Sequence, residues 1–482
     1  MNSGTTATPS SATRLDVGET VPRSGAPPAP QSVQETGLSS EAIADLLVKT
    51  LYVRGARTGK QLVDGVGLPF SIVDDQLLDL QQRRCIAVRG TAGHGRGGYT
   101  FELTSAGTGR AREALSASEY VGPAPVPLEQ YRAQVEAQSV RDVVVTRSRI
   151  REGFEALVLG DELLEVLGPA INSAKSVFLY GEPGNGKTVI AETIARLLGQ
   201  GGVYIPHAVD VDGEIVLLYD AVFHRTLEPA TQQPGAPDAA DDVDALLFPR
   251  AGGADRRYAY VARPVVVTGG ELTLDQLDLQ YDPQARIYQA PFQMKANGGV
   301  LIIDDFGRQR VPPRQLLNRW IVPLEKRRDY LALHGGVKFP VPFDCLLLLA
   351  TNLEPKELVE EAFLRRIHYK VQVPSPSRQQ YEEIFRRACR ERGIEYDQRA
   401  VEFVYRRYYE GLGITPRGCH PRDVTDHVCD FARYLEREPG LTPDLLERAC
   451  DSYFVVTAPE AMRGSEPAVP ENLESNGKAR RI

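Results

Sequence analysis

The sequence lacks the patterns that mark three specialised classes of protein. Its six cysteines are scattered and include no Cys-x-x-Cys pair, which argues against a disulfide framework and suits a reducing cytosol. The apolar run Cys345–Ala350 is far too short to span a bilayer. The first residues have no basic segment followed by an apolar core, so no secretory signal is predicted. We expect a cytoplasmic protein without membrane insertion.

An excess of positive charge is also missing. The formal net charge is −8, which argues against a protein that coats nucleic acid indiscriminately but allows a local basic patch. With 42% hydrophobic and 25% charged residues, the composition is that of a globular protein. A length of 482 residues predicts two or three domains.

Aromatic residues are nearly absent from residues 1–37, which are rich in Ser, Thr, Pro, Gly and Ala and are predicted to form a disordered leader. Over residues 38–116, helical spacing of apolar residues and two alternating segments predict three helices and a terminal hairpin. These are the elements of a winged helix. A Pro-rich stretch at 117–140 is predicted to be a linker.

A phosphate-binding loop is predicted at residues 181–188, GEPGNGKT, which fit the pattern GxxxxGK[ST] between an apolar strand and an amphipathic helix. Glycines let backbone N–H groups approach phosphate oxygens, and a helix amino terminus favours negative charge. Lys187 is predicted to reach the β- and γ-phosphates of ATP, and the Thr188 hydroxyl to bind Mg²⁺. The predicted nucleotide-binding residues of this loop are Gly181, Pro183, Gly184, Asn185, Gly186, Lys187, Thr188 and Val189.

Two adjacent carboxylates, Asp304 and Asp305, end the apolar run VLII. A wholly apolar strand is typical of the centre of a parallel sheet, and open α/β sheets bind ligands beside the carboxyl ends of such strands. We expect Asp304 to hold the hydrated Mg²⁺ and Asp305 to polarise the attacking water. The alternative is a strand end that carries two solvated acids.

The segments that follow resemble the AAA+ ATPases, in particular their MoxR-like, Mg-chelatase and MCM group. YLALHGGVKFPVPFD resembles the β-hairpin that this group inserts before its sensor strand. CLLLLATN resembles that strand, with Asn352 as sensor 1. EEAFLRRIHYKVQVPSPS resembles the arginine-finger segment, with Arg366 as the first choice and Arg365 as the second. GCHPRDVTDHV resembles the start of the lid helix, with Arg422 as sensor 2.

The resemblance implies an α/β fold with a P-loop AAA+ core, a parallel sheet and a helical lid, preceded by the small winged-helix domain. It implies Mg²⁺-dependent ATP hydrolysis in a ring, with a hexamer expected, that remodels a partner protein. The finger would act on the γ-phosphate of the neighbouring subunit. The expected divisions of the chain are a core at 141–374, a lid at 375–456 and a flexible tail at 457–482.

Two features depart from the family pattern. The family usually has Asp-Glu where this chain has Asp304 and Asp305, and the shorter carboxylate predicts slow hydrolysis or a compensating shift of the loop. The stretch between the predicted second strand, GGVYIPH, and VLII is also long, so we predict an insertion at about residues 208–295. Within it, Tyr258 and Tyr260 are expected in a strand core, with substrate contact as the alternative.

Two further clusters favour structural roles or protein contacts. A group of thiols and imidazoles fits no zinc-ligand spacing, so structural roles are expected for Cys419, His420, His427 and Cys429. The last helix before the hairpin of the winged helix carries the acids Asp74, Asp75 and Asp79. Because DNA-reading helices are usually basic, we expect this domain to contact an unknown protein rather than DNA.

Two other functions stay open. In the first, the chain is a nucleotide-gated scaffold with little hydrolysis, because Asp305 is a poor activator of water. In the second, the chain is a DNA-linked regulator whose winged helix is the reader.

Overall fold

The computed structural model describes residues 25–93, 95–199, 201–227, 253–358 and 364–454. The chain divides into two compact units, residues 1–374 and 375–482. Within the described residues, every helix is too short or too polar to cross a membrane.

Helices of the first unit begin at recognisable caps. The Ser39 hydroxyl accepts the N–H of Ala42, and Thr58 forms a reciprocal capping box with Gln61. The helices are α1 (Val33–Thr36), α2 (Ser40–Arg54), α3 (Gly59–Val66), α4 (Phe70–Gln82), α5 (Ser105–Ala117), α6 (Leu128–Ala137), α7 (Arg147–Gly153), α8 (Asp161–Asn172), α9 (Lys187–Leu198), α10 (Phe292–Lys295), α11 (Pro313–Arg319), α12 (Ile321–Lys326) and α13 (Pro355–Leu358).

The strands of the first unit are short and belong to several separate sheets. They are β1 (Arg57–Thr58), β2 (Ile86–Thr91), β3 (Tyr99–Leu103), β4 (Val126–Pro127), β5 (Ser176–Tyr180), β6 (Gly202–Pro206), β7 (Ala208–Val211), β8 (Glu214–Leu217), β9 (Tyr258–Ala262), β10 (Val265–Thr268), β11 (Gln280–Asp282), β12 (Ile287–Gln289), β13 (Val300–Ile303), β14 (Arg328–Ala332), β15 (Lys338–Pro342), β16 (Leu346–Thr351) and β17 (Tyr369–Gln372).

The amino-terminal part of this unit combines α2 to α5 with an antiparallel sheet in the order β1–β3–β2. Apolar residues from each helix and from β3 meet in one core, among them Leu47, Leu62, Leu77 and Phe101. These helices and the β2–β3 hairpin are the elements on which the winged-helix prediction rests. The assignment to the winged-helix family itself stays a prediction.

The predicted disordered leader is wrong for residues 25–37. Pro28 forms a β-bridge with Ala254, α1 covers Val33–Thr36, and Thr36 is buried. The Thr36 carbonyl accepts a hydrogen bond from the buried Arg257 guanidinium, which is distant in sequence. Composition is a local property, so it did not reveal this contact. Residues 1–24 lie outside the described residues.

The predicted linker at 117–140 is also a folded segment. It contains β4 and α6, and it buries Val126, Leu128, Tyr131 and Val135. β4 pairs in parallel with β7 in a second five-stranded sheet of order β11–β12–β8–β7–β4. Its prolines mark turns, but its apolar residues join the same core as the second sheet, so the segment does not behave as a free linker.

The central sheet has five parallel strands in the order β10–β13–β16–β5–β17. All four residues of β13 and all six of β16 are buried, as expected for strands covered on both faces. Buried residues of α9, among them Ile190, Ile194 and Leu198, pack in the core on one face of this sheet. The carboxyl ends of β5, β13 and β16 therefore share one edge.

The prediction that GGVYIPH forms the second strand of this sheet is wrong. Residues 202–206 form β6, which pairs with β9 in a separate antiparallel ribbon. On the side away from β16, β13 pairs with β10, Val265–Thr268, which falls inside the stretch predicted as an insertion at 208–295. Both segments are short apolar runs, and local pattern does not say which of them pairs with β13. The predicted insertion thus contains one strand of the central sheet.

The hairpin predicted before the sensor strand is formed by β14 and β15. Its buried residues Leu331, Phe339 and Val341 pack in the core beneath the second sheet, and Arg132 of α6 donates to the Pro340 carbonyl at 2.9 Å. One face of the hairpin is therefore held against α6 and the second sheet.

The second unit is helical over its described residues, to Phe454. It consists of α14 (Arg378–Glu391), α15 (Gln398–Val404), α16 (His420–Tyr434) and α17 (Pro443–Tyr453), with a π-helical turn at Tyr405–Glu410. Its core is rich in tyrosine, and the hydroxyls of Tyr381 and Tyr409 are 2.8 Å apart within it. The predicted tail at 457–482 lies outside the described residues.

Candidate nucleotide site

The predicted phosphate loop connects β5 to α9. Gly181, Gly184 and Gly186 have positive φ angles of 141°, 82° and 81°, a region that glycine enters without steric cost. A Cβ atom at Gly181 would lie 2.3 Å from the Val373 carbonyl oxygen. The loop is thus built from residues that let the backbone turn tightly ahead of the helix.

The Lys187 side chain is 7% exposed and lies within this loop. Its Nζ donates to the carbonyl oxygens of Gly181 and Glu182 at 2.8 and 2.9 Å. It also donates to Oδ1 of Asn352 at 2.5 Å, at the end of β16. The Lys187 ammonium group is therefore held between the phosphate loop and Asn352, the predicted sensor residue.

Thr188 and Asp304 face each other across the same edge. The Thr188 hydroxyl donates to Oδ2 of Asp304 at 2.7 Å. A hydroxyl and a carboxylate side by side are a hard oxygen donor pair of the kind that binds Mg²⁺. The two predicted metal ligands are brought together.

Asp305 has a left-handed backbone, with φ of 49°. Its N–H donates to Oδ1 of Asp304 at 3.0 Å, and its Oδ1 lies 3.5 Å from the Asn352 amide nitrogen. Its side chain is exposed. Asp305, the carboxylate predicted to activate water, therefore lies beside Asn352, the predicted sensor residue, at the carboxyl edge of the central sheet.

These residues fit ATP and Mg²⁺. Within the described residues there is no group of three or more His, Cys, Asp or Glu side chains that would hold a metal ion. Magnesium usually takes one or two protein oxygens and completes its shell with water and phosphate oxygens. Thr188 and Asp304 supply such a partial set next to the phosphate loop.

Two residues of the predicted nucleotide set differ in exposure. Asn185 is buried in the loop, whereas Val189 on the first turn of α9 is 39% exposed. The remaining member, Pro183, is half-buried between the loop glycines.

The predicted arginine fingers lie at the opposite edge of the central sheet. Ser176, the first residue of β5, accepts the His368 N–H at 3.2 Å and donates to the Arg366 carbonyl at 3.3 Å. Nε of Arg366 pairs with Oε1 of Glu325 at 2.6 Å. Arg365 is exposed. Both arginines line an open, basic cavity of about 540 Å³, away from the phosphate loop of their own chain.

Arg422 lies in the second unit, in the first turn of α16. Its side chain is 63% exposed, and its Nε is 3.4 Å from Oδ1 of Asp423. Its role as sensor 2 stays a prediction.

Tyr258 and Tyr260, and His420 of the second unit, make contacts that are typical of structural residues. Tyr258 is buried, and Tyr260 packs against Tyr204 with ring centroids 4.9 Å apart. His420 accepts the Arg417 N–H at 3.3 Å, and its Nδ1 lies 3.0 Å from the Tyr409 hydroxyl. Burial lowers the pKa of His420 to about 4, so its ring is neutral near pH 7.

Sequence reasoning missed Gln309. Its side-chain nitrogen donates to the carbonyl oxygens of Asp304 and Asp305 at 3.2 and 3.1 Å, and its oxygen accepts the Gly307 N–H at 2.7 Å. No spacing rule marks this residue. The available signal was its position in DDFGRQ, four residues after the second carboxylate.

Comparisons with known proteins find partial similarities. A family model described as "Domain of unknown function (DUF8689)" matches residues 377–452. A curated protein of Bifidobacterium dentium, described as "AAA ATPase forming ring-shaped complexes", is 34% identical over 115 residues, which are 22% of this chain and 21% of that protein. The matched part of the chain thus spans only about a fifth of that relative's length.

Two solved structures are similar at low identity. The RuvB Holliday junction branch migration motor of Thermotoga maritima is 17% identical, covers 61% of this chain and 70% of its own, and has a TM-score of 0.34. NtrX from Brucella abortus in complex with ADP is 15% identical, covers 67% of this chain and 58% of its own, and has a TM-score of 0.35.

The parallel five-stranded sheet with its phosphate loop gives the chain an α/β fold, and its assignment to the AAA+ ATPases stays a prediction. The MoxR-like subgroup stays a prediction.

Proposed function

We propose that this protein is a Mg²⁺-dependent AAA+ ATPase that hydrolyses ATP in a ring and uses the energy to remodel a partner protein. One observation carries the proposal. The carboxyl edge of the central sheet collects a lysine, a hydroxyl, two carboxylates and an amide within hydrogen-bond distance of one another, namely Lys187, Thr188, Asp304, Asp305 and Asn352.

Each of these side chains has a role that its contacts support. Lys187 would exchange its carbonyl partners for the β- and γ-phosphate oxygens, with Asn352 holding the ammonium group in place. Thr188 and Asp304 would hold Mg²⁺, which neutralises phosphate charge when bound. Asp305 would accept a proton from the attacking water, and the Asn352 amide would orient that water.

The ring is supported by the position of Arg366. The four residue steps from Ser176, next to Arg366, to Tyr180, before the phosphate loop, correspond to about 13 Å of strand. This separation supports the proposal that the Arg366 guanidinium serves a nucleotide on a neighbouring copy rather than its own. Such an arginine stabilises charge on the γ-phosphate in trans.

The partner is proposed to be a protein that binds through the amino-terminal domain. Four of the eight arginines between residues 38 and 116 pair with carboxylates, namely Arg83 with Glu41, Arg89 with Glu102, Arg96 with Asp74, and Arg110 with Asp45. Binding to DNA phosphates needs cations without such partners. Salt-sensitive DNA binding by the full chain at low ionic strength would instead favour a DNA-linked regulator.

The test is phosphate release from ATP with Mg²⁺ or with EDTA, measured over a range of protein concentrations. We expect Mg²⁺-dependent turnover in the wild type, with a rate per subunit that rises with protein concentration. In Arg366→Ala the rate per subunit should no longer rise with protein concentration. Arg147→Ala, which breaks a more exposed pair with Glu165, is the control. Absence of turnover together with tight ATP binding would favour a nucleotide-gated scaffold, the alternative in which the short Asp305 carboxylate is a poor activator of water.

A further inference from the structure

The turn that follows β13 is held in an unusual backbone conformation. Asp305 has φ of 49°, and the left-handed region is sterically disfavoured for a residue other than glycine. Asp tolerates this region better than Glu, because its short side chain can hydrogen-bond locally. Such a conformation persists only where the surroundings fix it.

The Gln309 side chain helps to hold the left-handed backbone conformation of Asp305. Its Nε2 donates to both carbonyl oxygens of the aspartate pair, at 3.2 Å for Asp304 and 3.1 Å for Asp305, while its Oε1 accepts the Gly307 N–H at 2.7 Å. The side chain is buried, with 9% exposure. The Gln309 amide group thereby forms hydrogen bonds to three backbone groups of the same turn.

The same turn is tied to the strand that carries the sensor residue. The Phe306 N–H donates to the Ala350 carbonyl at 2.7 Å, and the Thr351 hydroxyl donates to the Phe306 carbonyl at 2.6 Å. Asn352 is the next residue along the chain. The turn is thus fixed relative to the amide that faces Asp305.

We infer that Gln309 is a positioning residue that holds the left-handed turn and thereby places the short Asp305 carboxylate for water activation. The inference rests on the proposed ATPase function. Gln309 acts on the reaction only through Asp305, and it offsets the missing methylene of that side chain by fixing its backbone.

The test uses the full-length chain with Gln309→Glu and Gln309→Met. The Glu variant keeps an acceptor for the Gly307 N–H but sets an oxygen against two carbonyls, whereas the Met variant keeps the length and removes all hydrogen bonds. Gln315→Glu makes the same chemical change at an exposed position of α11 and is the matched control. Steady-state kcat and KM are measured together with the Kd for ATP.

We expect both Gln309 variants to lose about ten- to a hundredfold in kcat, with the Kd for ATP changed less than about twofold. An unchanged kcat or a parallel loss of ATP binding would overturn the inference.

A readout independent of turnover separates this inference from the proposed function. Hydrogen exchange in peptides that cover residues 300–312 should speed up in Gln309→Glu and Gln309→Met but not in Gln315→Glu, because the Arg308 N–H bonds to the Asp305 carbonyl at 3.0 Å within the held turn. If exchange is the same in both Gln309 variants as in the wild type, Gln309 does not hold the turn, even if the wild type hydrolyses ATP. If exchange is faster in both Gln309 variants but the wild type has no turnover, the ATPase function is refuted. Gln309 then only stabilises the turn, and its role in positioning Asp305 for the reaction is overturned as well.

Discussion

The Nζ atom of Lys187 lies 2.5 Å from Oδ1 of Asn352. This hydrogen bond joins the loop after β5 to the end of β16, the adjacent strand of the central sheet. The same amide has its nitrogen 3.5 Å from Oδ1 of Asp305. Asn352 is therefore the side chain that connects the phosphate loop with the proposed water-activating carboxylate.

Replacing Asn352 with Ala should lower kcat by about ten- to a hundredfold, because the lysine and the attacking water both lose an orienting partner. The Kd for ATP, measured with a fluorescent nucleotide, should change much less. Asn318→Ala, at an exposed position of α11, is the control. A kcat equal to that of the control variant would show that Asn352 does not act in the reaction.

Glu325→Gln should increase ATP turnover at low protein concentration. Glu325 pairs with the proposed finger Arg366 at 2.6 Å, and a competing phosphate must break that ion pair. Exposed ion pairs contribute at most about 1 kcal/mol, so the expected rise is up to about fivefold. Glu165→Gln, which releases Arg147 from a similar exposed pair, should have no effect. A fall in turnover in Glu325→Gln would contradict this role.

Arg257 should be essential for the stability of the first unit. Its guanidinium is buried and bonds Asp255, the Thr36 carbonyl and Gln130. Replacing it with Met leaves a buried carboxylate without its cation, which costs about 3–5 kcal/mol. Arg256→Met, next to it in an exposed pair with Asp64, should cost at most about 1 kcal/mol.

Urea unfolding followed by the fluorescence of Trp320 reports this difference directly. Trp320 is the single tryptophan of the chain and is fully buried in the first unit. Equal unfolding midpoints for Arg257→Met and Arg256→Met would refute the proposed importance of the buried pair.

The second unit should lose stability as the pH falls from about 6.5 to about 4. Burial, reinforced by the nearby charge of Arg417, lowers the pKa of His420 to about 4, while Asp423 opposes the shift. Below its usual pKa of about 6.5, the histidine is protonated in the unfolded chain before it is protonated in the folded chain. The neutral ring therefore stabilises the fold above pH 6.5, and this contribution disappears toward pH 4.

His420→Asn keeps an acceptor near the position of Nδ1 and has no proton to gain. Pulse proteolysis in urea, followed on peptides from residues 420–434, should show a smaller loss of stability between pH 7 and pH 5 than in the wild type. An identical pH dependence in both proteins would assign the effect to other groups.

The sequence was sufficient to predict which residues meet at the carboxyl edge of the central sheet. The glycines, Lys187 and Thr188 lie in one continuous motif, and the parallel sheet brings Asp304 and Asn352 to it because the carboxyl ends of its strands share one edge. The predicted α/β fold was confirmed. The functional roles of these residues, and those of Arg366 and Arg422, stay predictions.

Features that depend on long-range pairing were not visible in the sequence. The two candidates for the neighbour of β13, β6 and β10, are both short apolar runs, and only the pairing observed in the structure distinguishes them. Residues 117–140 and 25–37 looked like free segments because their partners, such as Arg257 and β7, are far away along the chain. Gln309 was missed because its effect depends on a left-handed turn at Asp305.

The most direct test of the central claim is steady-state ATP turnover against protein concentration for the wild type, Lys187→Ala and Asp305→Asn. Asn adopts the left-handed conformation as readily as Asp, so Asp305→Asn removes the carboxylate without disturbing the turn. The ATPase account predicts concentration-dependent turnover in the wild type, loss of ATP binding in Lys187→Ala, and ATP binding without turnover in Asp305→Asn. A wild type that binds ATP but does not hydrolyse it at any concentration, or an Asp305→Asn variant with full turnover, would contradict it.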